Sequence, residues 1–176
     1  MHRTILMGAA LAALLLATRA QAADLKAGDP APTFSFQSTD GKTITQETFR
    51  GKQAVVIAWF PKAFTGGCTK ECKSMRENGD AIKAFDVAYF TASVDPVTEN
   101  KKFAESLGLD YPILSDPSKE AAKAFNVLNP ERGVAKRVTF YIGKDGKILA
   151  VDDAVKTETH GSDIAAKLKE LGVAKK

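Results

Sequence analysis

Gln53 to Phe60 reads Gln-Ala-Val-Val-Ile-Ala-Trp-Phe, a near-continuous apolar run that stops at Pro61. A run with no polar alternation is the pattern of a strand buried on both faces of a partly parallel sheet. Pro61 cannot donate to a ladder, so the chain must leave the sheet there.

The flanking segments fit that frame. The patterning predicts strands at Thr33 to Phe36 and Lys42 to Thr45 around an Asp40-Gly41 turn, as an N-terminal β extension. A helix is expected from Gly67 or Cys68 to Ala84, a strand from Phe85 to Val94, a helix from Val97 to Leu107, a short strand at Pro112 to Leu114 and a helical turn over Lys119 to Phe125. Arg137 to Ile142 and Lys147 to Val151 read as a hairpin about Lys144-Asp145-Gly146, and Ser162 to Leu171 as a closing helix. The sum is an α/β chain with a central mixed sheet flanked by helices, in the manner of a thioredoxin fold.

Met1 to Ala22 has the composition of a secretory signal, with His2-Arg3, an apolar run from Ile5 to Ala17, and Ala20-Gln21-Ala22 before Ala23. The run is shorter than the ~20 residues a bilayer core requires, so cleavage is expected rather than anchoring. The expected organisation is a signal over 1–22 and one domain over 23–176, in the periplasm or secreted, with no membrane association after cleavage. Of the 25 Lys and Arg residues the signal holds Arg3 and Arg19, leaving 23 against 21 acidic residues. Those charges are interspersed without a basic block, which argues against a nucleic-acid partner.

The two cysteines stand as Cys68-Thr-Lys-Glu-Cys72. A disulfide between them would close a loop of three residues and remove little unfolded-state entropy, so chemistry explains the pair better than stabilisation does. Pro61-Lys-Ala-Phe-Thr65-Gly-Gly-Cys68 lies where a buried strand hands over to a helix, placing Cys68 in the first helical turn. There, free N–H groups and the positive end of the helix dipole favour a thiolate. Gly66-Gly67 leaves room beside the sulfur, and the Thr65 hydroxyl can both donate and accept. The loop position implies an exposed Cys68.

Pro61, Thr65 and Cys68 match the Pro-x-x-x-Thr-x-x-Cys hallmark of the peroxiredoxins, and the chain resembles that family from about Ala27 to its last helix. Gly28-Asp-Pro-Ala-Pro32, Phe49-Arg-Gly-Lys52 and Arg137-Val-Thr-Phe-Tyr-Ile142 extend the match. The resemblance implies a thioredoxin-like fold and a thiol peroxidase without haem, flavin or metal. Its substrate would be hydrogen peroxide or an organic hydroperoxide, and its reductant an external thiol or thioredoxin-like protein. It also implies roles: Cys68 as the peroxidatic nucleophile, Pro61 shielding it, Thr65 orienting the peroxide, and Arg137 stabilising the thiolate and polarising the O–O bond. The Cys68–Cys72 helix is similar to the Q-type, or bacterioferritin-comigratory, subfamily, whose resolving cysteine follows by five residues; here the offset is four, and Lys73 takes the expected position. An i, i+4 pair shares a helix face with Cβ atoms ≈ 5–6 Å apart, against the roughly 3.5–4.5 Å of a disulfide, so Cys72 can resolve Cys68 only if the first turn unwinds. The alternative is resolution by an outside thiol. Monomer and homodimer are both compatible with the sequence.

Two other functions use the same residues. A thiol–disulfide oxidoreductase would ordinarily carry Cys-x-x-Cys. A copper(I) site of the Sco type would use both thiolates and a histidine, for which only His160 remains after the signal. Of the remaining polar and aromatic residues, Trp59 and Phe60 are expected in the core, Asp95-Pro96 at an ordinary turn, and His160 at the surface or as a helix cap. Glu71 is expected to pair with Arg76, and Arg132 is a loop residue that competes with Arg137 for the guanidinium role.

Overall fold

The computed structural model of the protein describes residues 24–176, so the signal expected over 1–22 and its expected cleavage site lie outside the described residues. In chain order the elements are β1 (Ser35–Ser38), β2 (Thr43–Thr45), β3 (Ala54–Trp59), α1 (Gly66–Glu77), α2 (Gly79–Lys83), β4 (Val87–Ser93), α3 (Val97–Leu107), β5 (Ile113–Ser115), α4 (Glu120–Ala124), β6 (Leu128–Asn129), β7 (Val134–Ala135), β8 (Val138–Ile142), β9 (Ile148–Asp152) and α5 (His160–Glu170). Seven strands make one sheet in the order β2-β1-β5-β4-β3-β8-β9, with β3, β4 and β5 parallel and the outer pairs antiparallel.

β3 explains its own sequence. Val55, Ile57 and Trp59 enter a core on one face with Phe36, Phe90, Phe125 and Phe140, while Ala54, Val56 and Ala58 enter a second on the other with Met75, Ile82, Tyr141, Ile164 and Leu168. Successive side chains alternate between two covered faces, so the run reads as unbroken apolar sequence. Trp59 and Phe60 are both fully buried, as expected of core residues. Phe60 joins a third, smaller cluster at the carboxyl end of β3 with Ala63, Cys68, Cys72, Phe103, Leu107 and Ile113.

The expected elements are present with shifted ends, and the sheet is a thioredoxin-type one with the N-terminal β extension. The first strand begins at Ser35 rather than Thr33, and the last helix at His160 rather than Ser162. The helix expected to reach Ala84 breaks into α1 and α2 at Asn78, whose N–H and Nδ2 both donate to Ser74 O, at 3.1 Å and 2.9 Å. An asparagine that satisfies the carbonyl of the last turn ends a helix. The two-residue strands β6 and β7 form a separate ribbon whose turn is built on Asn129 Oδ1, accepting from Glu131 and Arg132 N–H. No helix among the described residues is long and apolar enough to cross a membrane.

Candidate active site

The chain leaves β3 at Phe60 and crosses Pro61–Thr65 before α1 begins. That crossing is pinned: Ala63 N–H donates to Asp95 Oδ2 at 2.9 Å, and Asp95 also accepts from Ser93 Oγ at 3.0 Å. Asn100 Nδ2 donates to Ser93 Oγ and Ser115 Oγ, so the ends of β4 and β5 and the start of α3 share one buried polar cluster. Asp95 is thus a buried anchor for the loop rather than an ordinary turn residue. Phe64 adopts a left-handed φ of 60° and stays 54% exposed, its ring 5.1 Å from that of Phe103. Pro61 is half-buried, and the Thr65 hydroxyl donates to Lys62 O at 2.9 Å.

Cys68 sits in the first turn of α1, as expected, but it is buried and not exposed. Its partner is Arg137, whose Nη2 donates to Cys68 Sγ at 3.4 Å. Strand parity delivers this contact. Trp59 pairs with Val138, so Arg137 falls just past the paired stretch, beside the loop that leaves β3. Val138, Phe140 and Ile142 point into the first core, so Arg137, Thr139 and Tyr141 face the side covered by α1 and α5. Arg132 lies in the exposed β6–β7 turn and takes no part. Gly67 clears the path of the guanidinium, since a Cβ there would stand 3.3 Å from Arg137 Nη2.

Behind the thiol lies a second layer. Glu71 is fully buried, with Oε2 against Arg137 Nη1 and Oε1 3.0 Å from His160 Nδ1, a close polar meeting off the ideal hydrogen-bond line. His160 Nε2 is 2.9 Å from Thr139 Oγ1. Two expectations are corrected here. Glu71 does not pair with Arg76, which reaches Glu77 and the Leu107 carbonyl instead. His160 is neither a surface residue nor an exposed cap: it is wholly buried, because Gly161 lets α5 press on α1 without a side chain between them. Burial holds its imidazole down to about 4, Arg137 adds to that, and Asp152 and Asp163 oppose it. Both ring nitrogens face Glu71 and Thr139 rather than the sulfurs, which removes the histidine a copper(I) site would need.

Cys72 is fully buried beside Cys68 in the third cluster, and both are free thiols. Burial pushes the Cys72 thiol up to about 12, against the Tyr111 and Thr91 hydroxyls that favour its ionisation. Tyr111 Oη also donates to Cys72 O at 3.0 Å. The structure brings Arg137 to Cys68 and leaves Pro61 and Thr65 on the crossing ahead of it without a bond to the thiol, while the Glu71–His160 pair and the anchoring by Asp95 were not expected from the sequence. The one available signal was the His160-Gly161 dipeptide at a helix start, where a glycine marks close packing of elements.

A thioredoxin-type sheet that sets a thiol at a helix start opposite a guanidinium defines a thiol-dependent peroxidase. The AhpC/TSA family profile matches residues 27–151, and the chain belongs to that family. It is similar to the peroxiredoxin Bcp of Escherichia coli, 36% identical over 152 residues that cover 83% of this chain and 97% of the relative. It is also similar to the alkyl hydroperoxide reductase E of Mycobacterium tuberculosis, 32% identical over 126 residues covering 70% of this chain and 82% of the relative. Among solved structures, the peroxidoxin BcpB of Mycobacterium tuberculosis superimposes with a TM-score of 0.76 at 31% identity, covering 83% of this chain and 97% of that one. The PrxQ of Xylella fastidiosa gives 0.78 at 22% identity, covering 85% and 99%, and shares the fold. The similarity within the family is to its Q-type, bacterioferritin-comigratory branch.

Proposed function

We propose that this chain reduces hydrogen peroxide and organic hydroperoxides in an exported compartment, with Cys68 as the attacking thiolate. The observation that carries the reading is the Arg137 Nη2 to Cys68 Sγ contact at the start of α1, where helix dipole and guanidinium both stabilise negative charge. Cys68 Sγ attacks the terminal oxygen of ROOH. The S–O bond forms as the O–O bond breaks, the electron pair leaves on the RO oxygen, and a proton converts it to ROH. Arg137 provides N–H groups where that charge develops, the Thr65 hydroxyl orients the peroxide, and Pro61 shields the sulfenic acid left on Cys68.

Cys72 then resolves the sulfenic acid: its sulfur displaces hydroxide from Cys68, water departs with the thiol proton, and a disulfide remains for an external dithiol to reduce. An intact turn opposes this step, because an i, i+4 pair keeps its Cβ atoms about 5–6 Å apart and burial holds the Cys72 thiol neutral. The first turns of α1 must unwind, and Glu71, which lies between the two cysteines, must leave Arg137 as they do. Export rests on the signal-like Met1 to Ala22, and a thioredoxin-like protein of the same compartment is the proposed reductant.

Cys68→Ser tests the assignment. It should fold normally and consume no peroxide in a coupled assay with an external dithiol. Retained turnover in that variant overturns the role of Cys68.

A further inference from the structure

Glu71 brings a carboxylate into the interior three residues from Cys68, where an unpartnered negative charge would oppose a thiolate. Arg137 answers one carboxylate oxygen and the thiol with the same guanidinium. The second oxygen faces His160 Nδ1 at 3.0 Å. A carboxylate oxygen can only accept, so its close approach, although off the hydrogen-bond line, favours the tautomer with the proton on Nδ1, in which Nε2 accepts from the Thr139 hydroxyl. The imidazole is neutral at pH 7, since burial outweighs Asp152 and Asp163, with a smaller contribution in the same direction from Arg137.

The surroundings hold this ring in place. Gly161 N–H donates to Ser74 Oγ at 3.1 Å, and a Cβ on Gly161 would stand 2.2 Å from the Ser74 carbonyl oxygen. Lys70 Nζ meets Glu158 Oε1 at 2.9 Å on the exposed side. Lys70, Glu71 and Ser74 of α1 are therefore matched in order by Glu158, His160 and Gly161, so the approach to α5 clasps the turns of α1 that carry the thiol.

The geometry points to His160 as a positioning residue for the chemistry of Cys68, acting through Glu71 and Arg137. With the Nδ1–H in place, Glu71 is shared between imidazole and guanidinium, and Nη2 of Arg137 stays on the sulfur. Without it, the free oxygen of Glu71 draws the guanidinium to itself, and the thiolate loses its partner. His160 touches neither peroxide nor sulfur. The inference rests on the peroxidase reading for its consequence in rate, and on geometry alone for its effect on Cys68.

The test compares the full protein with His160→Phe, which fills the space of the ring without an N–H, and His160→Asn, whose amide nitrogen replaces Nδ1. Two quantities are read: the pH dependence of Cys68 alkylation by iodoacetamide, followed by peptide mass, and the second-order rate with hydrogen peroxide at pH 7. The expected result is that His160→Phe moves the alkylation profile towards higher pH and slows the peroxide reaction by about threefold to tenfold, at or below the scale of one hydrogen bond to a charged group because the contact is off line, while His160→Asn recovers most of both. Thr139→Val, which frees Nε2 to take the proton, should shift both readouts the same way by about threefold. It decides the matter if His160→Phe does not fold. Unchanged profiles in the folded His160→Phe protein, or in Thr139→Val should the former be insoluble, overturn the positioning role. A wild-type protein that ignores peroxide overturns the peroxidase reading instead, while the alkylation profiles still decide whether His160 acts on Cys68.

Discussion

Arg137 divides its guanidinium between two partners of α1: Nη2 lies 3.4 Å from Cys68 Sγ, and Nη1 rests against Glu71 Oε2. Only a planar fork reaches both. Arg137→Lys keeps the charge but offers a single ammonium, which Glu71 would capture. The peroxide rate should therefore fall by about 10- to 100-fold, the cost of an electrostatic donor at a site of developing charge. Competition kinetics against a reference peroxide scavenger measures it, and an unaltered rate would remove Arg137 from the mechanism.

Gly67 should separate stability from activity. Glycine inside a helix costs roughly 0.5–1 kcal/mol relative to alanine, so Gly67→Ala has reason to stabilise α1. Its Cβ would stand 3.3 Å from Arg137 Nη2 and push the guanidinium off the thiol. Denaturant midpoint and peroxide rate should move in opposite directions, and a variant gaining in both would mean that Arg137 does not need the space.

The alkaline side of the stability curve follows from Cys72. A thiol near 9 in the unfolded chain is held up to about 12 in the fold, so the native state keeps a proton that the unfolded state releases. This contribution is complete below about pH 9 and is lost as pH rises towards 12, at about 1.4 kcal/mol per pH unit. Tyr111 and Tyr141, also pushed up by burial, add to the loss above pH 10. Melts of the reduced protein between pH 8 and 10.5 should slope downward, and Cys72→Ala should flatten the first part. An equal slope in that variant would place the alkaline sensitivity elsewhere.

On the acid side the buried imidazole sets the sign. His160 is lowered from 6.5 to about 4, so the unfolded chain binds a proton that the fold refuses. Its contribution is complete above pH 6.5 and is lost as pH falls to 4, on the order of 3 kcal/mol in total. His160→Asn, which does not titrate, should show a shallower fall in stability over that window in urea titrations. A fall as steep as in the wild type would contradict the burial of a neutral ring.

The loop anchor is testable separately. Asp95→Ala leaves the Ala63 N–H and Ser93 Oγ without their shared acceptor, costing about 1–3 kcal/mol of stability, and it loosens the crossing that carries Pro61 and Thr65. Urea unfolding and the peroxide rate should both register it. Loss of stability with full activity would show that the crossing holds its shape without Asp95.

The parts of this site that could be read from the sequence are those whose cause is local. Pro61, Thr65 and Cys68 fall within one eight-residue stretch that runs from a buried strand into the first turn of a helix, and Arg137 stands just before a strand whose apolar residues announce it. Glu71 and His160 are 89 positions apart and meet only because Gly161 lets two helices touch, which no periodicity in either helix reveals. The burial of Cys68 has a related cause: Phe60, just past β3, and Phe103 of α3 pack into one cluster with it, although the loop taken alone looks exposed. The break at Asn78 and the ribbon of β6 and β7 were hidden by scale, the one decided by a single side chain and the other by strands too short to alternate.

One mass measurement bears most directly on the peroxidase and its resolving cysteine. Reduced protein is mixed with one equivalent of hydrogen peroxide, quenched at intervals with acid, and weighed intact. The expected record is a brief gain of one oxygen followed by a product lighter than the starting protein by two hydrogens, with Cys68 and Cys72 joined in the peptide map. A protein that stays at its reduced mass while free cysteine in the same tube is oxidised would contradict the central claim.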